Sequence, residues 1–169
     1  MKILNKINVR RIVENHCASI RNINTGKPDL DDYMTFVAIP VVVASILISF
    51  GIFLKNDVIN IIITTLSIFV GLMFNIIVII FDIVKRHPDH KVKNAVLKEI
   101  LANVSFAILL SLTCIVFTII TYVPNCFASR LANWISYFLI TLFVITLLMI
   151  LKRMYNVFED EMNELEKNK

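Results

Sequence analysis

Four apolar runs free of charged residues, at 34–54, 58–81, 100–122 and 134–151, constrain this chain more than any other feature. A helix of roughly 20 mostly apolar residues crosses ~30 Å of hydrocarbon. Lipid offers an open backbone no hydrogen-bond partner, so runs of this length fold as membrane helices. Whole-chain values agree: 57% of the residues are hydrophobic and the mean hydropathy is +0.76. The sequence predicts an all-α membrane protein with four transmembrane helices, at 34–54, 58–84, 98–122 and 132–151. These join an N-terminal amphipathic helix and linker (1–33), a basic loop (85–98) and a C-terminal tail helix (152–169). So much of the chain lies in the bilayer that no separate soluble catalytic domain is expected. Residues 1–33 hold no signal-peptide pattern, so no cleaved leader is expected.

Charge gives an orientation. Of the 17 Lys and Arg residues, only Lys55 and Arg130 fall in the first and third connections. The others gather in the N-terminal segment, the middle loop and the tail. The positive-inside bias then puts both termini and the middle loop in the cytoplasm. Tyr122, Trp134 and Tyr137 fall near the outer ends of their spans, as an aromatic belt requires. Cys17, Cys114 and Cys126 lie at cytoplasmic, mid-membrane and outer depths, so no disulfide within the chain is expected.

The cytoplasmic segments carry their own patterns. Over residues 8–22, Val9, Ile12, Val13, His16, Cys17 and Ile20 share one helical face. Such a helix either lies on the inner leaflet or packs against the protein's other cytoplasmic helices. Residues 24–29 read as a turn, Asp31 or Asp32 as the cap of the first span, and Pro40 as a bend within it. The brief connection Lys55-Asn-Asp57 predicts a tight antiparallel hairpin of spans one and two. Span three is expected to reach two turns into the cytoplasm. In the tail, Tyr155, Phe158, Met162 and Leu165 recur at helical spacing between acidic residues, as a docking face for a partner protein or another part of the chain. Lys85, Arg86, Lys91 and Lys93 suit anionic lipid headgroups or a partner.

The sharpest pattern is a polar stripe in span two. Asn60, Thr64, Ser67, Gly71, Asn75 and Asp82 fall within an arc of roughly 80° at 100° per residue. Span three has a counterpart in Asn103, Ala107, Ser111, Cys114, Thr118 and Thr121. The two stripes are expected to face each other or line a common space. Small and weakly polar residues of this kind make packing seams between membrane helices; a polar pathway lined by them after oligomerisation is the functional alternative.

Several chemistries find no support. No span holds a charge at mid-depth, which disfavours a proton relay or ion-coupled transporter. The motif His87-Pro-Asp-His90 supplies too few ligands at fixed geometry for a metal. Gly26, Gly51 and Gly71 are scattered, so there is no phosphate-binding loop, and no nucleophile elbow occurs. The expectation is a protein that is not an enzyme, with no cofactor and no direct nucleic-acid binding, its basic residues being accounted for by topology.

The layout resembles small four-span bacterial membrane proteins of phage-defence operons. The shared features are the basic N-terminal segment, Ser67-Ile-Phe-Val-Gly71 in span two, the charged inner loop and the exit Lys152-Arg153-Met-Tyr155. The resemblance implies a bacterial inner-membrane location and a sensor or effector that perturbs that membrane beside a cytoplasmic partner. With the residues themselves it gives a first expectation: a self-associating membrane subunit triggered through its cytoplasmic helices. A membrane anchor that recruits a soluble partner is the second, and a small-solute or ion transporter subunit the third.

Overall fold

A computed structural model of the chain describes residues 9–19, 30–86, 91–122 and 126–167. They form five helices: α1 (Arg10–Ser19), α2 (Leu30–Ser49), α3 (Asn56–Arg86), α4 (Lys91–Ile120) and α5 (Cys126–Lys167). Helices α3, α4 and α5 are each long and apolar enough to cross a membrane, while the apolar part of α2 is the shorter Met34–Ser49. The apolar runs therefore fold as helices, as their composition requires, and the protein has the architecture of a helical membrane protein.

Helix α2 ends five residues before its apolar run does. Gly51 adopts a φ of 69°, a left-handed conformation that side-chain-bearing residues rarely take. Its N–H donates to the carbonyl of Ile48, and the N–H of Ile52 donates to that of Leu47, each at 3.0 Å. This pair of bonds is a Schellman cap, which satisfies the last carbonyls and turns the chain out of the helix. Ile52–Leu54 then leave α2 as a connecting segment, and Leu54 N–H donates to Asn133 Oδ1 of α5 at 2.9 Å.

Helix neighbours depart from sequence order. α4 packs against α3, α5 and α1, while α2 packs on α5. Among the described residues α2 and α3 do not pack together, so the expected hairpin of spans one and two is not formed. The Gly51 exit and the anchoring of Leu54 on α5 explain this, because they carry the chain past α5 before α3 begins. The core follows the same layout: Leu97, Ile100, Val104, Ala107 and Cys114 of α4 are fully buried between Leu66, Met73 and Ile80 of α3 and Leu139, Phe143 and Ile150 of α5. The tail is not a separate helix. It is the end of α5, whose Met154 and Val157 still belong to the core.

Candidate functional site

The two polar stripes point in different directions. In α4, Asn103, Ser111, Cys114 and Thr118 are fully buried. Thr118 Oγ1 donates to Ser136 Oγ of α5 at 3.4 Å, and Cys114 Sγ lies 3.9 Å from the Ser136 carbonyl. This stripe is an internal seam between α4 and α5. In α3, by contrast, Asn60, Thr64, Ser67, Gly71, Asn75 and Asp82 are all exposed. The buried residues Ile59, Leu66, Met73 and Ile80 lie roughly 150° around that helix from the stripe. The stripes therefore neither face each other nor line a common space. Helix α4 turns its apolar flank to α3 and its polar flank to α5 and α1.

Within the α3 stripe the polar groups differ in how they are satisfied. Ser67 Oγ donates to the Ile63 carbonyl at 2.8 Å, a bond inside its own helix. Asn60 Oδ1 accepts from Tyr122 Oη at 3.2 Å near the outer end. Asn75 makes no side-chain hydrogen bond among the described residues, and nothing lies within 4 Å of a Cβ built on Gly71.

A second polar constellation closes the end of the bundle where α1 sits. Sequence reasoning placed His16 and Asn103 in separate patterns and took no notice of Ser19 or Arg153 as partners. His16 and Ser19 are the buried residues of α1, which rest on α4 with Ile12 partly covered. Val9 and Val13, expected on the same face, are exposed. The His16 ring stacks on Phe106 of α4 at 3.8 Å and meets Phe36 of α2 edge-on at 6.0 Å. The amphipathic helix is thus packed on the protein's own helices.

Asn103 is the centre of this group. Its amide lies 2.8 Å from His16 Nδ1 and 2.6 Å from Ser19 Oγ, and Ser19 Oγ is also 2.8 Å from the His16 carbonyl. A hydroxyl carries one proton, so Ser19 cannot donate to both acceptors. With Asn103 Oδ1 toward the pair, Nδ2 is buried without a partner. Turning the amide so that Nδ2 takes that place lets it donate to Ser19 Oγ and to His16 Nδ1, while Ser19 donates to the helix carbonyl. The imidazole proton then sits on Nε2, and only a carbonyl oxygen lacks a partner, the less costly orphan. Arg153 of α5 completes the closure. It donates to Glu99 Oε2 of α4 at 2.7 Å and to the Ser19 carbonyl. Burial pushes the His16 imidazole below its ordinary value of 6.5, and the nearby Arg153 charge adds to the shift; an amide that donates to Nδ1 likewise favours the neutral ring.

The remaining candidates stay apart from this group. Lys85 is exposed; the side chains of Arg86, Lys91, Lys93 and Leu165 and the whole of His87-Pro-Asp-His90 lie outside the described residues. Tyr155, Phe158 and Met162 are exposed, so this part of the tail face is docked on nothing among the described residues. Among the described residues no three His, Cys, Asp or Glu side chains gather as a metal site would need. Comparison with family models, curated proteins and solved structures finds no match to this chain.

Proposed function

We propose that this protein is a non-enzymatic membrane subunit that self-associates through the α3 stripe and takes its input through the cytoplasmic end of the bundle. The observation that carries the proposal is the outward placement of that stripe. In hydrocarbon an unpaired amide such as Asn75 is costly, and a second copy of α3 offers both a hydrogen-bond partner and small residues for close approach. Gly71 leaves room for a neighbouring backbone. The α1 helix held over the end of α4 and α5 by Arg153 is the element an input could displace. The resemblance to phage-defence membrane proteins accords with an effector that depolarises the inner membrane on activation.

In this reading the chain crosses the membrane four times, α2 being completed by the connecting segment to Leu54. Reporter fusions after Lys55 and Ser129 then signal from outside, and fusions after Pro88 and Lys169 from the cytoplasm. The exposed Tyr155, Phe158 and Met162 favour one further reading, an anchor that recruits a soluble partner.

Oligomer size in detergent and membrane potential in expressing cells test the proposal together. Gly71→Leu is expected to dissociate the oligomer and abolish depolarisation while leaving the fold of each chain intact, since residue 71 is exposed and a Cβ there meets nothing within 4 Å. A monomeric wild-type protein sinks self-association. An oligomer that never alters the potential replaces the effector reading with the anchor.

A further inference from the structure

Two apolar grooves flank α3, and they differ in one respect. The groove toward α5, about 330 Å³, runs past Phe69, Met73, Leu147 and Met154 and has no charged residue in its wall. The groove toward α4, about 420 Å³, is lined by Ile77, Ile80 and Val84 on one side and by Leu97, Lys98 and Leu101 on the other. A lysine therefore stands in a wall that is otherwise apolar, beside the junction where α3 ends and α4 begins.

The sequence around this groove is predominantly basic: residues 85–98 hold five Lys and Arg against one acid, Asp89. Lys85 is exposed at the position after Val84, and in the sequence Arg86, Lys91 and Lys93 follow it. Among the described residues no carboxylate lines the groove. Glu99 is engaged with Arg153, and Asp82 falls on the opposite side of α3. The apolar wall from Ile77 to Val84 is roughly 10 Å long at 1.5 Å per residue, the upper part of an acyl chain.

We propose that the α3–α4 groove binds an anionic phospholipid, its acyl chain along Ile77–Val84 and its phosphate at Lys98. A neutral lipid would use the apolar wall without the basic cluster, and free phosphate the lysine without the wall; a lipid of net negative charge uses both. Basic pockets between membrane helices on the cytoplasmic side take up such headgroups. The proposal requires membrane insertion only and stands apart from self-association.

Native mass spectrometry of the full chain, supplied with phosphatidylglycerol or phosphatidylcholine of identical chains, tests it. Wild-type protein is expected to retain phosphatidylglycerol in preference. Lys98→Ala should lower that retention about fivefold, the contribution of one basic residue near an anionic headgroup, and leave phosphatidylcholine unchanged. Lys98→Arg should preserve the preference, and Leu101→Trp, which fills the groove, should remove it. Leu148→Trp fills the uncharged groove instead and should leave the preference intact. Equal retention of the two lipids by wild type, or an unaltered preference in Lys98→Ala or Leu101→Trp variants of native helicity, overturns the proposal. So does loss of the preference in Lys98→Arg.

Discussion

Ser67 and Ser111 make the same local bond, each donating to the carbonyl four residues back at 2.8 Å, yet one is exposed and the other fully buried. They stand for their stripes. That of α4 is consumed inside the chain, where Ser136 and α1 meet it, whereas that of α3 is left on the surface. In the most apolar window of each helix, 44% of α4 but 11% of α3 is buried. A polar stripe on a membrane helix therefore marks a face that wants a neighbour without saying whether that neighbour belongs to the same chain.

The contrast can be broken by matched substitutions. Ser111→Phe forces a ring into a filled seam and is expected to cost about 1–3 kcal/mol, read as a lower unfolding temperature in detergent. Ser67→Phe should leave the unfolding temperature of the monomer nearly unchanged, within about 0.5 kcal/mol, as surface substitutions do. Equal losses would mean that α3 does not present its stripe outward.

A comparable effect is expected at the inner end of the α4 stripe. Asn103→Leu strips His16 and Ser19 of their shared partner, a loss of about 1–3 kcal/mol for buried groups left unpaired. The fold of α2–α5 should survive while the amides of α1 lose protection from hydrogen exchange. Unchanged α1 protection would show that Phe106, Phe36 and Arg153 hold the helix without the amide.

Acid should act on the same contact more gently. Because the His16 pKa is lowered in the packed state, the unpacked helix binds more protons, and docking is strongest above the ordinary value of 6.5. It weakens as pH falls below that value toward the lowered one. Exchange in α1, corrected for its intrinsic pH dependence, should therefore accelerate below pH 6.5 in wild type and not in His16→Phe. Glu99 and Arg153 also face this site, so the His16→Phe comparison is what assigns the effect to the imidazole.

The smallest effect belongs to the outward stripe. Asn75→Leu removes one hydrogen bond between copies, worth about 0.6 kcal/mol in a membrane, and assembly should persist. If the oligomer remains and the cells no longer depolarise, the stripe lines a polar path; if both signals stay at wild-type level, it is a seam.

Much of this was readable from residue order. The apolar runs gave the long helices, and 3.6-residue periodicity located both stripes. Gly51 was a legible stop for α2, because a glycine just past an apolar helix is the residue that a left-handed cap needs, but the apolar Ile52-Phe53-Leu54 after it extended the run and hid the stop. Glu99 stands one turn before Asn103, in register with the α4 stripe, and could have been added to it. The neighbours were not legible. Periodicity gives the face of a helix but not what covers it, and His16 meets Asn103 from 87 positions away. The absence of an α2–α3 hairpin likewise depends on Leu54 finding Asn133, a contact that neither residue announces.

Helix α5 has 42 residues and neither glycine nor proline in its length. At 1.5 Å per residue it is a rod of about 63 Å, twice the hydrocarbon thickness. A pull on its acidic tip is thus not absorbed by a hinge on the way. About its outer end, a tilt of about 10° swings that tip by roughly 10 Å, and the same rotation loads the buried Ser136 seam and the exposed Trp134 contact with Ser45 near the pivot. The protein carries a lever most of whose length is its own core.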